Sequence, residues 1–207
     1  MSKVAAIILA AGQASRYRAA DASVASKVVA LLDGKALVRH VADAALMSAA
    51  RPVVVVTGNA RDEVEDALKD IEVRFVHNAD FAAGLSGSLR AGVAALDPEC
   101  QGALVLLADM PRIRPVFLDA LLQALAKHPN ADAVVPIYNG QRGNPVLISR
   151  KLFKAVSALK GDEGARRILN DPALSIIEIA GEEDVTLDID TPSALAEAAK
   201  AGDTKAV

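Results

Sequence analysis

The sequence predicts one three-layer α/β/α domain with a mostly parallel central sheet, on three observations. Seven apolar runs of strand length alternate with segments of helical period, the pattern of repeated βαβ units. Most of these runs are apolar throughout, as strands covered on both faces must be. Over 207 residues neither a Pro/Gly/Ser-rich linker nor an internal repeat interrupts the alternation, and one domain accommodates that length.

Taken in order, VAAIILA (4–10) is the first strand, and it empties into the loop LAAGQASRYRAADASVASK (9–27). ALVRHVADAALMSAA (36–50) has helical spacing, PVVVVTG (52–58) is a strand, RDEVEDALK (61–69) a helix and VRFVH (73–77) a strand. SGSLRAGVAAL (86–96) and RPVFLDALLQALAKH (114–128) are helices flanking the strand GALVLLA (102–108). Pro115 and Pro192 suit first-turn positions, where a missing N–H costs no hydrogen bond. The strands ADAVVPI (131–137), NPVLIS (144–149) and LSIIEIA (174–180) follow, with helical segments after Arg150, Asp162 and Pro192. The domain is expected to span 1–200, leaving AGDTKAV (201–207) as a flexible tail.

Composition removes several function classes. A net charge of −3 and a pI near 5.6 argue against a broad nucleic-acid surface, and 3% aromatic residues with no Trp leave no stacking platform for single strands. The lone Cys100 excludes an intramolecular disulfide framework. The apolar run from Val4 to Ala11 is too short to span a bilayer, so the expectation is a cytoplasmic protein with neither nucleic acid nor membrane as partner. His40, His77 and His128 lack ligand spacing and are read as structural.

In sheets of this kind ligands sit outside the carboxyl ends of the strands. There the first strand delivers Ala11 and Gly12, small residues that let backbone N–H groups approach a ligand, with Arg16 and Lys27 adding positive charge; a phosphate fits. A later strand delivers Asp109 in ADMP, and an extended stretch delivers Asp188 and Asp190 in LDIDTP. Any one of these acids is explained as a turn former or helix cap. Beside a phosphate loop, a pair of them suits Mg²⁺, which prefers hard oxygen ligands. Asp188 and Asp190, two apart, share one side of a strand, which leaves the choice between them open. The Walker A pattern and the dinucleotide fingerprint GxGxxG are both missing, which argues against a P-loop ATPase and a nicotinamide or flavin enzyme.

Six blocks then stand in one order: LAAGQASR (9–16) with Lys27, HNADFAAGLSGSLRAGV (77–93), LLADMP (106–111), GQRGNPVLIS (140–149), GDEGAR (161–166) and LDIDTP (187–192). Together they resemble the MobA-like nucleotidyltransferase superfamily, most closely its MocA-type molybdenum cofactor cytidylyltransferase branch. The resemblance implies a Rossmann-like, nucleotide-diphospho-sugar transferase-like fold. It implies transfer of CMP from CTP to the terminal phosphate of the molybdopterin cofactor, with Mg²⁺ and release of pyrophosphate. By the same resemblance Arg16, Lys27 and Asp109 are catalytic, the first two on the β- and γ-phosphates. Leu9, Ala10, Ala11 and Gly12 lie against the nucleotide, and Gly84, Ser86 and Ser88 contact base and ribose. Arg142, Gly143, Asn144, Pro145 and Arg166 face the acceptor, Asp109 and Asp190 hold the metal, and molybdoenzyme apoproteins or their maturation chaperones are further partners.

Plainer explanations stand beside these roles: helix capping for the two serines, a hairpin turn for 142–145, and a surface helix for the arginines after Asp162. The chain departs from the family pattern where relatives place a short RMG-containing stretch; here RYRAADASVAS separates the arginine from Lys27, so Arg18 can replace Arg16, and the longer loop is read as closing over substrate. The guanylyl branch reads LAGG where this chain reads LAAG, and the Ala11 methyl is expected to take room beside the base and favour a pyrimidine. Two other readings are kept: a related nucleotidyltransferase using GTP or another phosphorylated acceptor, and a nucleotide-binding oxidoreductase or cofactor-carrying accessory protein.

Overall fold

The computed structural model describes residues 3–12, 17 and 26–203, with side chains to residue 200. An eight-stranded sheet runs through it in the order β10-β7-β9-β6-β1-β4-β5, with β8 pairing β7 off that path. The strands are β1 (Val4–Ala10), β4 (Val53–Thr57), β5 (Arg74–His77), β6 (Gly102–Leu107), β7 (Ala133–Tyr138), β8 (Gln141–Arg142), β9 (Val146–Ser149) and β10 (Ile176–Ala180); β2 (Leu31–Leu32) and β3 (Lys35–Ala36) form a separate hairpin. β1 pairs in parallel with β4 and β6, as do β4 with β5 and β7 with β10. β9 lies antiparallel between β6 and β7. The sheet is therefore mixed but mostly parallel, and the expected fold class holds.

Helices cover both faces, which is why the central strands β1, β4 and β9 are buried throughout, whereas the edge strands β5 and β10 are only partly so. Side chains alternate along β1: Ala6, Ile8 and Ala10 enter one core with residues of α1 (Leu37–Met47), α2 (Arg61–Ala67) and α4 (Pro115–Lys127). Ile7, Leu9 and Ala11 enter the other, with Leu89 of α3 (Leu85–Ala94), Val156 of α5 (Phe153–Ser157) and Leu169 of α6 (Ala165–Leu169). Ile7 and Ile8 are fully buried, worth about 1.5–3 kcal/mol each in transfer free energy. A third cluster joins Leu32, Leu37 and Ile189 to Ala198 of α7 (Pro192–Asp203). It fixes the LDIDTP segment against the body of the fold.

Two hairpins escape the apolar-run reading. Asp33 and Gly34 both take positive φ (52° and 75°), as do Asn139 and Gly140 (49° and 76°), the Asp-Gly and Asn-Gly turns that link β2 to β3 and β7 to β8. The helix expected from residue 36 accordingly starts at Leu37. The LDID stretch is irregular rather than a strand, but Ile189 is buried between its flanking acids, and those acids still share a side. α7 carries the backbone to Asp203; the remainder of the expected tail, 204–207, lies outside the described residues. Among the described residues, no helix is long and apolar enough to cross a membrane.

Candidate active site

β1, β6 and the segment before α7 bring their ends to one edge of the sheet. The Ile189 N–H donates to the Asp109 carbonyl (3.0 Å), and the Ala108 N–H to the Leu9 carbonyl (3.3 Å), so three distant segments are tied at backbone level. Asp109, Asp188 and Asp190 converge there, each offering a carboxylate oxygen within 4.8 Å of the others. The structure thus joins both acids of the DID motif to Asp109, with Asp188 exposed and Asp190 partly buried.

Lys27 reaches into this cluster from a short 3₁₀ turn, Lys27–Val29. Its Nζ lies 2.5 Å from Asp109 Oδ2 and also contacts Asp190 Oδ1; the three side chains are 15%, 14% and 23% exposed. Burial pushes the Lys27 ammonium toward losing its proton, but the neighbouring Asp109 and Asp190 carboxylates outweigh burial and hold its pKa above the ordinary lysine value. The lysine is charged. The other oxygen of Asp109, Oδ1, is buried and has no hydrogen-bond partner among the described residues. An orphaned carboxylate oxygen is costly unless something positive meets it. Three converging hard-oxygen donors, with a further Asp109 oxygen left unpartnered, fit a divalent ion such as Mg²⁺.

A cavity of about 490 Å³ opens beside this cluster, walled by Leu9, Ala11, Gly12, Phe81, Gly84 and Ser88 among others. Gly84 needs its φ of +107°, and a Cβ there would come 2.4 Å from the Gly161 backbone. The Ser86 N–H donates to the Gly161 carbonyl (3.1 Å), so the LSGS and GDEG motifs hold each other and place the first turn of α3 at the cavity. Ser88 accepts a hydrogen bond from Asn78 Nδ2 (3.1 Å). Ala10 and Ser86 are not among the described residues lining the cavity: Ala10 faces the opposite core, and Ser86 is 1% exposed. Arg16 and Arg18, with the lengthened loop at 13–16 and 18–25, lie outside the described residues.

A second cavity, about 170 Å³, lies beyond Leu107, which lines both. Asp188, Arg142, Gly143, Asn144 and Arg166 line it; Pro145 is not among the described lining residues. Gly143 has no room for a Cβ, which would fall 2.2 Å from the Val185 carbonyl oxygen, and Asn144 donates its N–H to that same oxygen (2.7 Å). Arg142 is committed to Glu178 (2.8 Å) and the Leu169 carbonyl (2.9 Å), whereas among the described residues Arg166 makes one long bond, to the Arg142 carbonyl (3.4 Å).

Sequence reasoning passed over Tyr17, Phe81 and Asp162 as cavity walls, and Gly58 behind the wall. A Cβ at Gly58 would lie 2.7 Å from both the Ala11 and Phe81 Cβ atoms. Phe81 and Asp162 stand inside quoted motifs and were findable; nothing in the letters around Tyr17 or Gly58 marks them.

Two cavities that share Leu107, with Lys27, Asp109 and Asp190 lining one and Asp188 the other, suit transfer between phosphorylated partners, the chemistry of nucleotidyltransferases. The chain belongs to the MobA-like NTP transferase domain family, whose model matches residues 6–176. It is 30% identical over 186 residues to the bifunctional protein GlmU of Sorangium cellulosum, covering 87% of this chain but 34% of that protein, so it spans about a third of that relative's length. It is 29% identical over 142 residues to the molybdenum cofactor cytidylyltransferase of Escherichia coli K12, covering 68% of this chain and 70% of that one. Its fold matches the crystal structure of Rv0371c from Mycobacterium tuberculosis with a TM-score of 0.82 at 22% identity, over 96% of this chain and 98% of that chain. That protein has also been solved in complex with manganese.

Proposed function

We propose that this nucleotidyltransferase moves CMP from CTP to the terminal phosphate of the molybdopterin cofactor and releases pyrophosphate. The observation that carries two-substrate transfer is the pair of cavities sharing Leu107 and divided among the acid cluster, Asp109 and Asp190 lining one for the nucleotide and Asp188 lining the other for the acceptor. The Escherichia coli relative supports the choice of cytidylyl group and acceptor.

The acceptor phosphate oxygen attacks the α-phosphorus in line while pyrophosphate departs, so no side-chain nucleophile is needed and positioning dominates. Gly12 and the start of α3 bring backbone against the nucleotide. Arg166, less committed than Arg142, meets the acceptor phosphate in the second cavity. Asp109 and Asp190, with Asp188 at the acceptor side, would hold Mg²⁺; the solved manganese complex of Rv0371c, a protein of the same fold, is in keeping with a divalent ion. Such an ion supplies charge neutralisation at the phosphoryl oxygens, worth several kcal/mol.

Incubation with equimolar CTP, GTP and ATP, Mg²⁺ and molybdenum cofactor, followed by product mass, tests it. The expected product is the cytosine dinucleotide; a guanine or adenine dinucleotide would move the reading to another base, and transfer only to a different phosphorylated acceptor would move it to another substrate.

A further inference from the structure

Lys27 lines the nucleotide cavity with its charge already engaged. Its ammonium contacts Asp109 Oδ2 and Asp190 Oδ1, two oxygens of the cluster that suits a divalent ion. An ammonium and a divalent cation on the same carboxylates repel each other, and the partial burial of all three side chains weakens solvent screening. Both cannot occupy the cluster comfortably. Lys27 also lines the large cavity beside Gly12, so its flexible four-carbon stem has a second place to put its charge.

We propose that Lys27 is a resident counter-cation that makes metal and nucleotide enter together. The divalent ion displaces the ammonium from Asp109 and Asp190, and the nucleotide's phosphates receive it in the adjoining cavity. This inference rests on the metal-site reading above. It assigns Lys27 a positioning role, with two alternative partners, and it explains why a residue matched to phosphate contact is found on carboxylates. Its consequence is that the cluster binds a divalent ion weakly without nucleotide, because the ion competes with a tethered cation.

The test is Mn²⁺ binding to the full chain by electron paramagnetic resonance, with and without a non-hydrolysable CTP analogue. Lys27→Met is expected to bind Mn²⁺ alone at least tenfold more tightly than native protein, within the about 5- to 150-fold range of ordinary coupling between sites. Lys27→Arg keeps the charge and should stay near the native affinity. The analogue should tighten Mn²⁺ more in native protein than in Lys27→Met. Thermal unfolding of each variant verifies folding, and Lys27→Gln replaces the Met variant if that one fails to fold. Unchanged or weaker Mn²⁺ binding in the neutral variants, with binding still lost in Asp109→Asn, overturns the counter-cation role and leaves the metal site standing. Tightening in Lys27→Arg equal to that in Lys27→Met also overturns it, since charge would not be the cause. Mn²⁺ binding unaffected by Asp109→Asn overturns the metal site and this inference together.

Discussion

The two oxygens of Asp109 have different surroundings: Oδ2 is paired with Lys27, and Oδ1 is buried without a hydrogen-bond partner among the described residues. Asparagine at this position keeps the shape but loses the charge that a metal ion needs. Asp109→Asn should therefore retain the fold and lower kcat/KM for nucleotidyl transfer by about a hundredfold or more, the scale of losing charge stabilisation in the transition state. Asp190→Asn should behave similarly, because Asp190 shares Lys27 and the cavity wall, whereas the exposed Asp188 should give a milder loss. Steady-state kinetics on the three variants checks the ranking, and a larger loss at Asp188 would transfer the ligand role to it. These acids were legible in the sequence because each follows an apolar or extended stretch. The pairing of Lys27 with them was not, since it depends on how residues 27, 109 and 190 meet across the fold.

At the scale of elements, the contact between the start of α3 and the 161–164 loop sets the cavity wall. Gly84→Ala would drive a Cβ into the Gly161 backbone at 2.4 Å and force a side chain into positive φ, so it should lower stability by about 1–3 kcal/mol and raise KM for the nucleotide. Denaturant unfolding and nucleotide titration read the two effects. Gly58→Ala pushes on Ala11 and Phe81 from behind the same wall, and a nucleotide KM unchanged in that variant would contradict the packing argument. On the opposite face Asp43 ties α1 to β3 through Lys35 (2.8 Å) and pairs within α1 with Arg39 one turn earlier (2.8 Å). Burial raises its pKa, but these two cations outweigh burial and hold it below the ordinary 3.8. A lowered folded pKa means that the stabilisation is present above the unfolded value and is lost as pH falls through the folded one. Asp43→Asn should therefore melt below native protein at pH 7, by the small margin of solvent-screened, partly exposed pairs at about 0.2–1 kcal/mol each, and the gap should close below pH 4.

Across the whole molecule, the apolar runs predicted all seven long strands within two residues at each end, because burial on both faces leaves a near-continuous apolar signature on the central strands and partial burial leaves a shorter one on the edge strands β5 and β10. Strand direction left no such mark: NPVLIS reads like its neighbours, yet β9 runs antiparallel because the Asn139–Gly140 turn and β8 send the chain back between β6 and β7. That reversal places Gly143 and Asn144 against the 185 segment and builds the second cavity. The motifs marked most of both cavities; that the two share Leu107 became visible only with the strands in order. A machine made of two adjoining cavities should release pyrophosphate only when both are filled. The direct measurement is the rate of pyrophosphate release from CTP and Mg²⁺ with and without molybdenum cofactor, in native protein and Asp109→Asn. The account predicts release that requires the cofactor, matches dinucleotide formed one for one, and falls about a hundredfold or more in the variant. Release that is indifferent to the cofactor, or undiminished in Asp109→Asn, would contradict it.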